Sequence, residues 1–298
     1  MEEEVINFFK ELETELKIRG YSDQTIRSYL YENKKFLAFL NSHKTNTEYQ
    51  KSLFSAKGQR TPQDVTKHDI RAYQAFLMAD KALKPATVNL ILSALKFFYE
   101  NVLKKDFFQD KKIKRPKKEE KLPVVLTRDE IRQMLQNTNN KKHKLLIELL
   151  YGSGLRVSEA VKLKIDDLNL DEKINLIRGG KGKKDRRIIL PDKLRKKLGA
   201  YFNKRKDKNP FIFHYREGHI SPRQAQRIVK NAALRANIKK DVFCHALRAS
   251  FATHLINMGV DIRDVQVLLG HKRISTTQIY TEVSDERLKA IRSPLDSL

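Results

Sequence analysis

Apolar residues in the first hundred positions recur every three or four residues, which is the spacing of one face of an α-helix. Four such stripes predict four amphipathic helices: Val5, Phe9, Leu12 and Leu16; Ile26, Leu30, Leu37 and Leu40; Ile70, Tyr73 and Leu77; and Val88, Ile91, Leu92, Leu95, Phe98, Tyr99 and Val102. Thr66 and Asp69 form a capping-box pattern before the third stripe. Residues 1–110 are therefore predicted to form a four-helix domain, with a loop or a short extra helix at 44–62.

The pattern changes after residue 123. Thr127 and Glu130 form a second capping-box pattern. The next helix is predicted from a run of leucines: Leu145, Leu146, Leu149 and Leu150. Short apolar segments at 165–170, 174–178 and 186–190 predict three strands, the last two joined by a glycine-rich turn at 179–184. The predicted fold class is mainly α, with an N-terminal four-helix domain followed at 124–298 by a mixed α+β domain that contains a small antiparallel three-stranded sheet.

Positive charge is concentrated in the second half of the chain. Lys and Arg number 61 against 36 Asp and Glu, a net charge of +25, of which residues 1–123 carry +7 and residues 124–298 carry +18. A balance this basic predicts a polyanionic partner. Residues 111–123 contain two prolines and seven basic residues. They predict an exposed linker that also lies along a phosphate backbone, with a solvated hinge as the alternative.

Other classes of protein are disfavoured by composition. Cys244 is the one cysteine, which excludes an internal disulfide framework or a multi-cysteine zinc site and favours a reducing compartment. The first residues are acidic rather than basic and apolar, and no apolar run approaches the ~18 residues of a membrane span. We therefore expect a cytoplasmic protein without a membrane partner.

Several polar residues have the chemistry to bind a phosphate. Arg156 follows a Gly-Ser-Gly turn, and His245 and Arg248 lie three residues apart on one helical face. Two arginines can hold both non-bridging oxygens of a phosphodiester through paired N–H donors. Taken singly, either arginine is more often a solvated or salt-bridged surface residue.

Three further residues have an ordinary role as well as a chemical one. Lys181 lies between two glycines in the predicted hairpin turn, where a lysine usually serves solubility but could also donate a proton to a leaving oxygen. His271 follows Gly270 at a predicted helix end, where histidines commonly act as C-terminal caps. Tyr280 is by default a packing residue.

The order of these residues changes their interpretation. In chain order they lie in Gly-Ser-Gly-Leu-Arg156-Val-Ser-Glu, Gly-Lys181-Gly, His245-x-x-Arg248 and Leu-Leu-Gly-His271, and the last is Tyr280. Together these motifs resemble the tyrosine recombinase, or phage integrase, family, and most of all its Xer-type members. The N-terminal half is similar to the core-binding domain of that family. The resemblance covers nearly the whole chain.

The resemblance implies a role for each of these residues. Tyr280 is the implied nucleophile, Arg156 and Arg248 hold the scissile phosphate, and His271 donates a further hydrogen bond to it. Covalent catalysis of this kind divides the reaction into two steps and uses cationic donors in place of a metal, so no cofactor, ATP or metal ion is predicted.

The resemblance extends to three supporting residues and shows one departure. It implies that Lys181 is the general acid toward the 5′ leaving oxygen, that His245 assists proton transfer, and that Glu159 is a carboxylate that orients the site. Ala249 stands where many members of the family have a second histidine. This affects the fine positioning of the site rather than the reaction.

The predicted partner is double-stranded DNA. Contacts to its backbone are predicted for five basic residues: Lys183, Lys184, Arg186, Arg223 and Arg227. The resemblance also implies that four identical protomers assemble on paired DNA sites through the segment 284–298.

Two other functions remain open from the sequence. A topoisomerase with a tyrosine nucleophile shares the same cleavage step, and a non-catalytic DNA-binding protein needs only the charge and the helices. The Xer resemblance suggests resolution of chromosome dimers, while integration or excision of a mobile element uses the same chemistry.

Overall fold

The computed structural model describes residues 2–42, 60–108, 113–117, 122–177 and 185–281. The chain divides into two compact units, Met1–Glu120 and Lys121–Leu298. Most of the connection at 44–62, the predicted turn at 179–184 and the segment 284–298 lie outside the described residues. None of the helices that can be described is both long enough and apolar enough to cross a membrane.

The regular secondary structure described in the first unit is all helical. Its elements are α1 (Glu2–Ile18), α2 (Asp23–Asn41), a 3-10 turn (Pro62–Asp64), α3 (Lys67–Ala79) and α4 (Pro85–Phe97), which continues into a π-helical turn at Phe98–Val102. The apolar stripes form the core, with Leu12, Leu16, Ile70 and Leu92 fully buried. Thr66 and Asp69 form a capping box at the start of α3.

Residues 113–117 of the basic linker are docked on this unit. Ile113 is 6% exposed and packs in its core. The Asn89 side chain donates to the carbonyl of Pro116 at 2.9 Å, and Arg115 donates to the Ser93 hydroxyl at 3.0 Å. Residues 113–117 are therefore attached to the helical unit by the buried Ile113, whereas Lys114, Arg115 and Lys117 are exposed. A lone isoleucine among lysines gives no periodic signal, because one buried side chain has no repeat.

The second unit consists of helices around two small sheets. In chain order the elements are α5 (Arg128–Gln136), α6 (Lys141–Gly152), α7 (Val157–Lys162), β1 (Ile174–Ile177), β2 (Arg186–Ile189), α8 (Asp192–Asn203), β3 (His214–Tyr215), β4 (Gly218–His219), α9 (Pro222–Arg235), α10 (Cys244–Asn257), α11 (Ile262–Leu269) and α12 (Ser275–Gln278). Helices α6 and α10 lie at its centre, where the predicted leucines of α6 and most of α10 are buried.

The sheets differ from the prediction. Strands β1 and β2 pair antiparallel, with Ile174 opposite Ile189, and β3 pairs with β4 in a separate two-stranded sheet. The predicted third strand at 165–170 is wrong, because Ile165–Asp167 forms a 3-10 turn. The Asp167 carboxylate accepts a 2.8 Å hydrogen bond from the backbone N–H of Lys164. A side chain that binds its own backbone in this way favours a turn over a strand.

Two glycines have backbones that a larger residue would not tolerate. Gly154, just before α7, has φ +57°, and a Cβ atom there would lie 2.4 Å from the Phe251 ring. Gly270, after α11, has φ +61°, and its Cβ would lie 2.7 Å from Cδ of Arg186. Both positions combine a left-handed backbone with close packing. They fix the two turns that flank the site described below.

Replacement of Gly154 by alanine is expected to lower the free energy of unfolding by about 3 kcal/mol, because the methyl group overlaps Phe251 and the backbone is strained. Urea denaturation of the full chain measures the loss. Gly218→Ala is the matched control, since nothing lies within 4 Å of its Cβ position, and it should change stability by less than about 1 kcal/mol. Equal effects of the two substitutions would contradict the packing described for Gly154.

Candidate active site

Three arginines from different elements meet at the C-terminal end of α11. Arg156 precedes α7, Arg186 begins β2 and Arg248 lies on α10. Each donates to one of the three consecutive carbonyls of Leu268–Gly270: Arg186 to the first, Arg248 to the second and Arg156, at 3.2 Å, to the third. The last carbonyls of a helix have no partner within the helix and carry the negative end of its dipole. This helix end can therefore bind three cations side by side.

Glu159 links two of these arginines. Its carboxylate accepts 2.8 Å hydrogen bonds from the backbone N–H and from Nη1 of Arg156, and a 2.7 Å hydrogen bond from Nη2 of Arg186. Glu159 is 8% exposed and Arg186 is 7% exposed. Burial by itself raises the pKa of Glu159, but the hydrogen bonds and charges of Arg186 and Arg156 outweigh it and lower the pKa below its usual value. The carboxylate therefore stays ionised.

The carbonyl of Gly154 provides a second acceptor for the cluster. It accepts hydrogen bonds from Nη1 of Arg248 at 2.5 Å and from Nη2 of Arg186 at 3.3 Å. Because Gly154 adopts a left-handed backbone, the Gly-Ser-Gly turn can end tightly against Phe251 and still lead directly into Arg156. The turn thus positions all three arginines. Arg156 follows it directly in the chain, and Arg186 and Arg248 bind the carbonyl of Gly154.

The cluster carries more positive than negative charge. Among the described residues, three guanidinium groups surround one carboxylate, that of Glu159. Burial and the neighbouring Arg156 and Arg186 lower the pKa of Arg248 to about 9, so Arg248 is still charged at neutral pH. The Arg156 side chain is 25% exposed and is the cluster's contact with solvent. An anion that approaches from this side would meet an uncompensated positive charge.

His271 adjoins Arg248. Its Nε2 lies 3.3 Å from Nη2 of Arg248, and its Nδ1 lies 3.0 Å from the hydroxyl of Thr277. Burial, together with the charges of Arg248 and Arg156, lowers the pKa of His271 to about 4. The imidazole is therefore neutral at physiological pH.

Tyr280 packs beside this imidazole. The two rings are stacked with centroids 6.3 Å apart. Tyr280 is 1% exposed and lies in an apolar cluster with Ala249 and Phe251. Burial raises the pKa of its phenol, an effect that the charges of Arg248 and Arg156 partly offset. The phenol is thus held protonated, within electrostatic reach of two arginines.

The remaining predicted residues occupy different places. His245 is exposed one turn before Arg248, and desolvation by its surroundings, with the charges of Arg248 and Arg156, lowers its pKa. Arg223 and Arg227 are exposed on the first two turns of α9. The other three predicted residues lie outside the described part of the chain: Lys181, Lys183 and Lys184.

Arg186 does not fit its predicted contact with the DNA backbone. Its guanidinium is buried and bound to Glu159 and to two backbone carbonyls. The sequence contains a signal for this placement, since alternate strand residues share a face. Ile188 is fully buried and Arg187 is exposed, so Arg186 faces inward with Ile188. The assignment of Arg186 is corrected from DNA contact to support of the arginine cluster.

Two parts of the site were not predicted from the sequence: the backbone carbonyls that bind the arginines, and Thr277. The carbonyls of Gly154 and of residues 268–270 have no side-chain signature, since any residue carries a carbonyl. Thr277 is recognisable only once the chain is folded, because its partner His271 is six residues away and joined through a short helix. In the portion of the chain that can be described, no cluster of three or more His, Cys, Asp or Glu side chains is arranged to hold a metal ion.

Comparison with known proteins identifies the family of the chain. Residues 124–287 match the phage integrase family, and residues 8–109 match the phage integrase N-terminal SAM-like domain. The chain is 35% identical over 293 residues to tyrosine recombinase XerA of Pyrococcus horikoshii, which covers 96% of this chain and 93% of that protein. It is 32% identical over 305 residues to tyrosine recombinase XerD of Oceanobacillus iheyensis, with 97% and 96% covered.

The fold is also found among solved structures. The crystal structure of the XerH site-specific recombinase bound to its palindromic difH substrate, a post-cleavage complex, superposes with a TM-score of 0.70. The match covers 96% of this chain and 94% of that chain at 19% identity, which shows a shared fold. The resemblance seen in the sequence is confirmed, and the chain belongs to the phage integrase family of tyrosine recombinases.

Proposed function

We propose that this protein is a site-specific DNA recombinase that cleaves and rejoins duplex DNA through a covalent 3′-phosphotyrosyl intermediate on Tyr280. The observation that carries the proposal is the excess of positive charge at the arginine cluster, next to a neutral imidazole and a phenol. A phosphodiester carries one negative charge and repels nucleophiles, so its cleavage requires donors of this kind. The Xer-type relatives support the same function.

Arg156, Arg248 and His271 are the proposed phosphate ligands. The guanidinium groups donate to the non-bridging oxygens and stabilise the charge that grows there as the nucleophile attacks. Arg186 and Glu159 do not contact the phosphate in this proposal. They hold Arg156 in place through the shared carboxylate, so that little reorganisation is needed when DNA binds.

The bond changes balance without an external reagent. The phenolic oxygen of Tyr280 forms a bond to phosphorus, the bond from phosphorus to the 5′ oxygen breaks, and the phenolic proton passes to a base, for which His245 is proposed. Lys181 is proposed to protonate the departing 5′ oxygen. The phosphotyrosyl bond retains the energy of the broken linkage, so a 5′ hydroxyl of another strand can reverse the step.

The buried position of Tyr280 places a condition on this reaction. Tyr280 and Arg248 are each 1% exposed, so neither can contact a DNA phosphate without a local rearrangement, and the raised pKa of Tyr280 disfavours the phenolate. In the proposed reaction, DNA binding draws Tyr280 out of its apolar cluster and toward Arg156 and Arg248. The positive field of these arginines then stabilises the developing phenolate.

DNA binding is proposed to involve both halves of the chain: a core-binding domain at 1–110, a basic linker at 111–123 and a catalytic domain at 124–298. The exposed Arg223 and Arg227 are proposed backbone contacts, together with Lys183 and Lys184 of the predicted turn. Assembly of four protomers through 284–298, action in the cytoplasm and a role in resolving chromosome dimers are proposed from the resemblance to Xer-type members.

A nicking and closing topoisomerase is the other catalytic function compatible with this site. The DNA sequence that the protein protects from nuclease digestion, called the protected sequence, is identified first. Two duplexes that contain this sequence, each with a different label, then separate the two functions. Hybrid products support the recombinase, whereas relaxation of supercoiled DNA without hybrids supports the topoisomerase. Binding with neither product supports a non-catalytic DNA-binding protein.

Substitution of Tyr280 by phenylalanine is expected to abolish the covalent protein–DNA adduct, because the attacking oxygen is lost. The adduct is measured in denaturing gels after incubation with the protected duplex in EDTA, and DNA affinity is measured in parallel. Tyr215→Phe is the control, since Tyr215 is 50% exposed on β3, and it should form the adduct normally. A persistent adduct in Tyr280→Phe would refute the assignment of the nucleophile.

Substitution of Arg186 by methionine tests whether Arg186 supports the cluster or contacts DNA. We expect cleavage at saturating DNA to fall about 100-fold, as for loss of a group that organises charge stabilisation. The dependence of affinity on salt should stay unchanged, because no phosphate contact is lost.

Arg223→Ala is the opposite case. It should reduce the salt slope, which is the slope of log affinity against log salt concentration, by about 1, and leave cleavage at saturating DNA near normal. The double substitution Arg186→Met with Glu159→Gln removes the uncompensated buried carboxylate and is used if the single variant does not fold. A reduced salt slope in either Arg186 variant would restore the original prediction of a DNA contact.

A further inference from the structure

Thr277 lies where the phosphate-binding residues meet the segment that carries the nucleophile. It is fully buried on the short helix α12, between His271 and Tyr280. Its hydroxyl is 3.0 Å from Nδ1 of His271, and its backbone carbonyl accepts a 3.1 Å hydrogen bond from the N–H of Tyr280. One residue therefore contacts both the imidazole and the backbone of the proposed nucleophile.

The partners of His271 determine which ring nitrogen carries the proton. A guanidinium group can only donate, so Nε2 of His271 must accept the hydrogen bond from Arg248. In a neutral imidazole the other nitrogen then carries the hydrogen. Nδ1–H consequently donates to the hydroxyl of Thr277. The low pKa of His271, about 4, agrees with a neutral ring.

We propose that Thr277 is a positioning residue whose hydroxyl holds His271 with Nε2 directed at Arg248 and at the site of the scissile phosphate. The proposal rests on the proposed function, since it assigns that phosphate to the arginine cluster. Thr277 touches neither the phosphate nor the phenol in this proposal. It acts through the orientation of the imidazole, which its hydroxyl holds at Nδ1.

A hydroxyl suits this position because it can both accept and donate. A phosphate oxygen only accepts, so Nε2 must carry a hydrogen when His271 binds the phosphate. One proton then leaves Nδ1 for solvent and one arrives at Nε2 from solvent, and the ring stays neutral. The hydroxyl of Thr277 reverses from acceptor to donor, so Nδ1 keeps a partner in both states.

A purely structural role makes the opposite prediction for two substitutions. Thr277→Val keeps the volume and the methyl group and loses the hydroxyl, whereas Thr277→Ser keeps the hydroxyl and loses the methyl group. If Thr277 only fills the core, the valine variant is normal and the serine variant is impaired. If its hydroxyl positions His271, the order is reversed.

The experiment measures the rate of adduct formation at saturating DNA for the full chain and these variants. We expect Thr277→Val to be about 10- to 100-fold slower, as for loss of a hydrogen bond that orients a ligand histidine, and Thr277→Ser to lie within about 3-fold of the unsubstituted protein. Thr276→Val is the matched control, since Thr276 is the exposed neighbour of Thr277, and its rate should be unchanged. A normal rate for Thr277→Val, or equal losses in both Thr277 variants, would overturn the proposal.

A second measurement does not depend on activity. Nitrogen-15 NMR of the histidine rings in the DNA-free protein should show that His271 is protonated at Nδ1 and unprotonated at Nε2. This state should persist in both Thr277 variants, because Arg248 still donates to Nε2. The Nδ1 resonance should shift in Thr277→Val, where its hydrogen-bond partner is lost, and stay in place in Thr277→Ser. A proton on Nε2 in the unsubstituted protein would overturn the inference. The absence of any adduct from the unsubstituted protein would instead refute the proposed function, and the NMR result would still decide the contact between Thr277 and His271.

Discussion

The carbonyl end of one short helix makes the arginine cluster possible. Two unit charges 4 Å apart repel by about 4 kcal/mol at an effective dielectric constant of about 20, so arginines do not gather without acceptors. The carbonyls of Leu268–Gly270 each bind a different guanidinium group. Because these arginines come from the start of α7, from β2 and from α10, the end of α11 holds these three elements together.

The other contacts of the site follow from this arrangement. Glu159 neutralises one charge and divides its oxygens between Arg156 and Arg186, and the carbonyl of Gly154 satisfies further donors of Arg186 and Arg248. The guanidinium groups bind backbone carbonyls and one carboxylate inside the protein, yet their charge is not neutralised. A phosphodiester would supply the missing negative charge, which is why the same geometry that stabilises the fold also fits the proposed chemistry.

Sequence reasoning succeeded where a signal is local and repeated. The helical stripes and the Thr66–Asp69 capping box are of this kind. The order of polar residues from Arg156 to Tyr280 is not repeated, but it was specific enough to identify the family. Sequence reasoning failed where a residue's environment is set by partners that are distant in the chain. Arg186 was assigned to DNA because of its charge, although Ile188 two positions later marks the inward face of the strand. Ile113, the turn at Ile165–Asp167 and Thr277 were missed because single contacts leave no periodicity.

A crystal structure of the Tyr280→Phe protein bound to its protected duplex is the most direct test of the arginine cluster as the phosphate site. We expect one backbone phosphate within hydrogen-bond distance of Arg156, Arg248 and His271, with Arg186 and Glu159 still joined behind them. A duplex that passes over another face of the second unit, and leaves these three side chains without a phosphate, would contradict it.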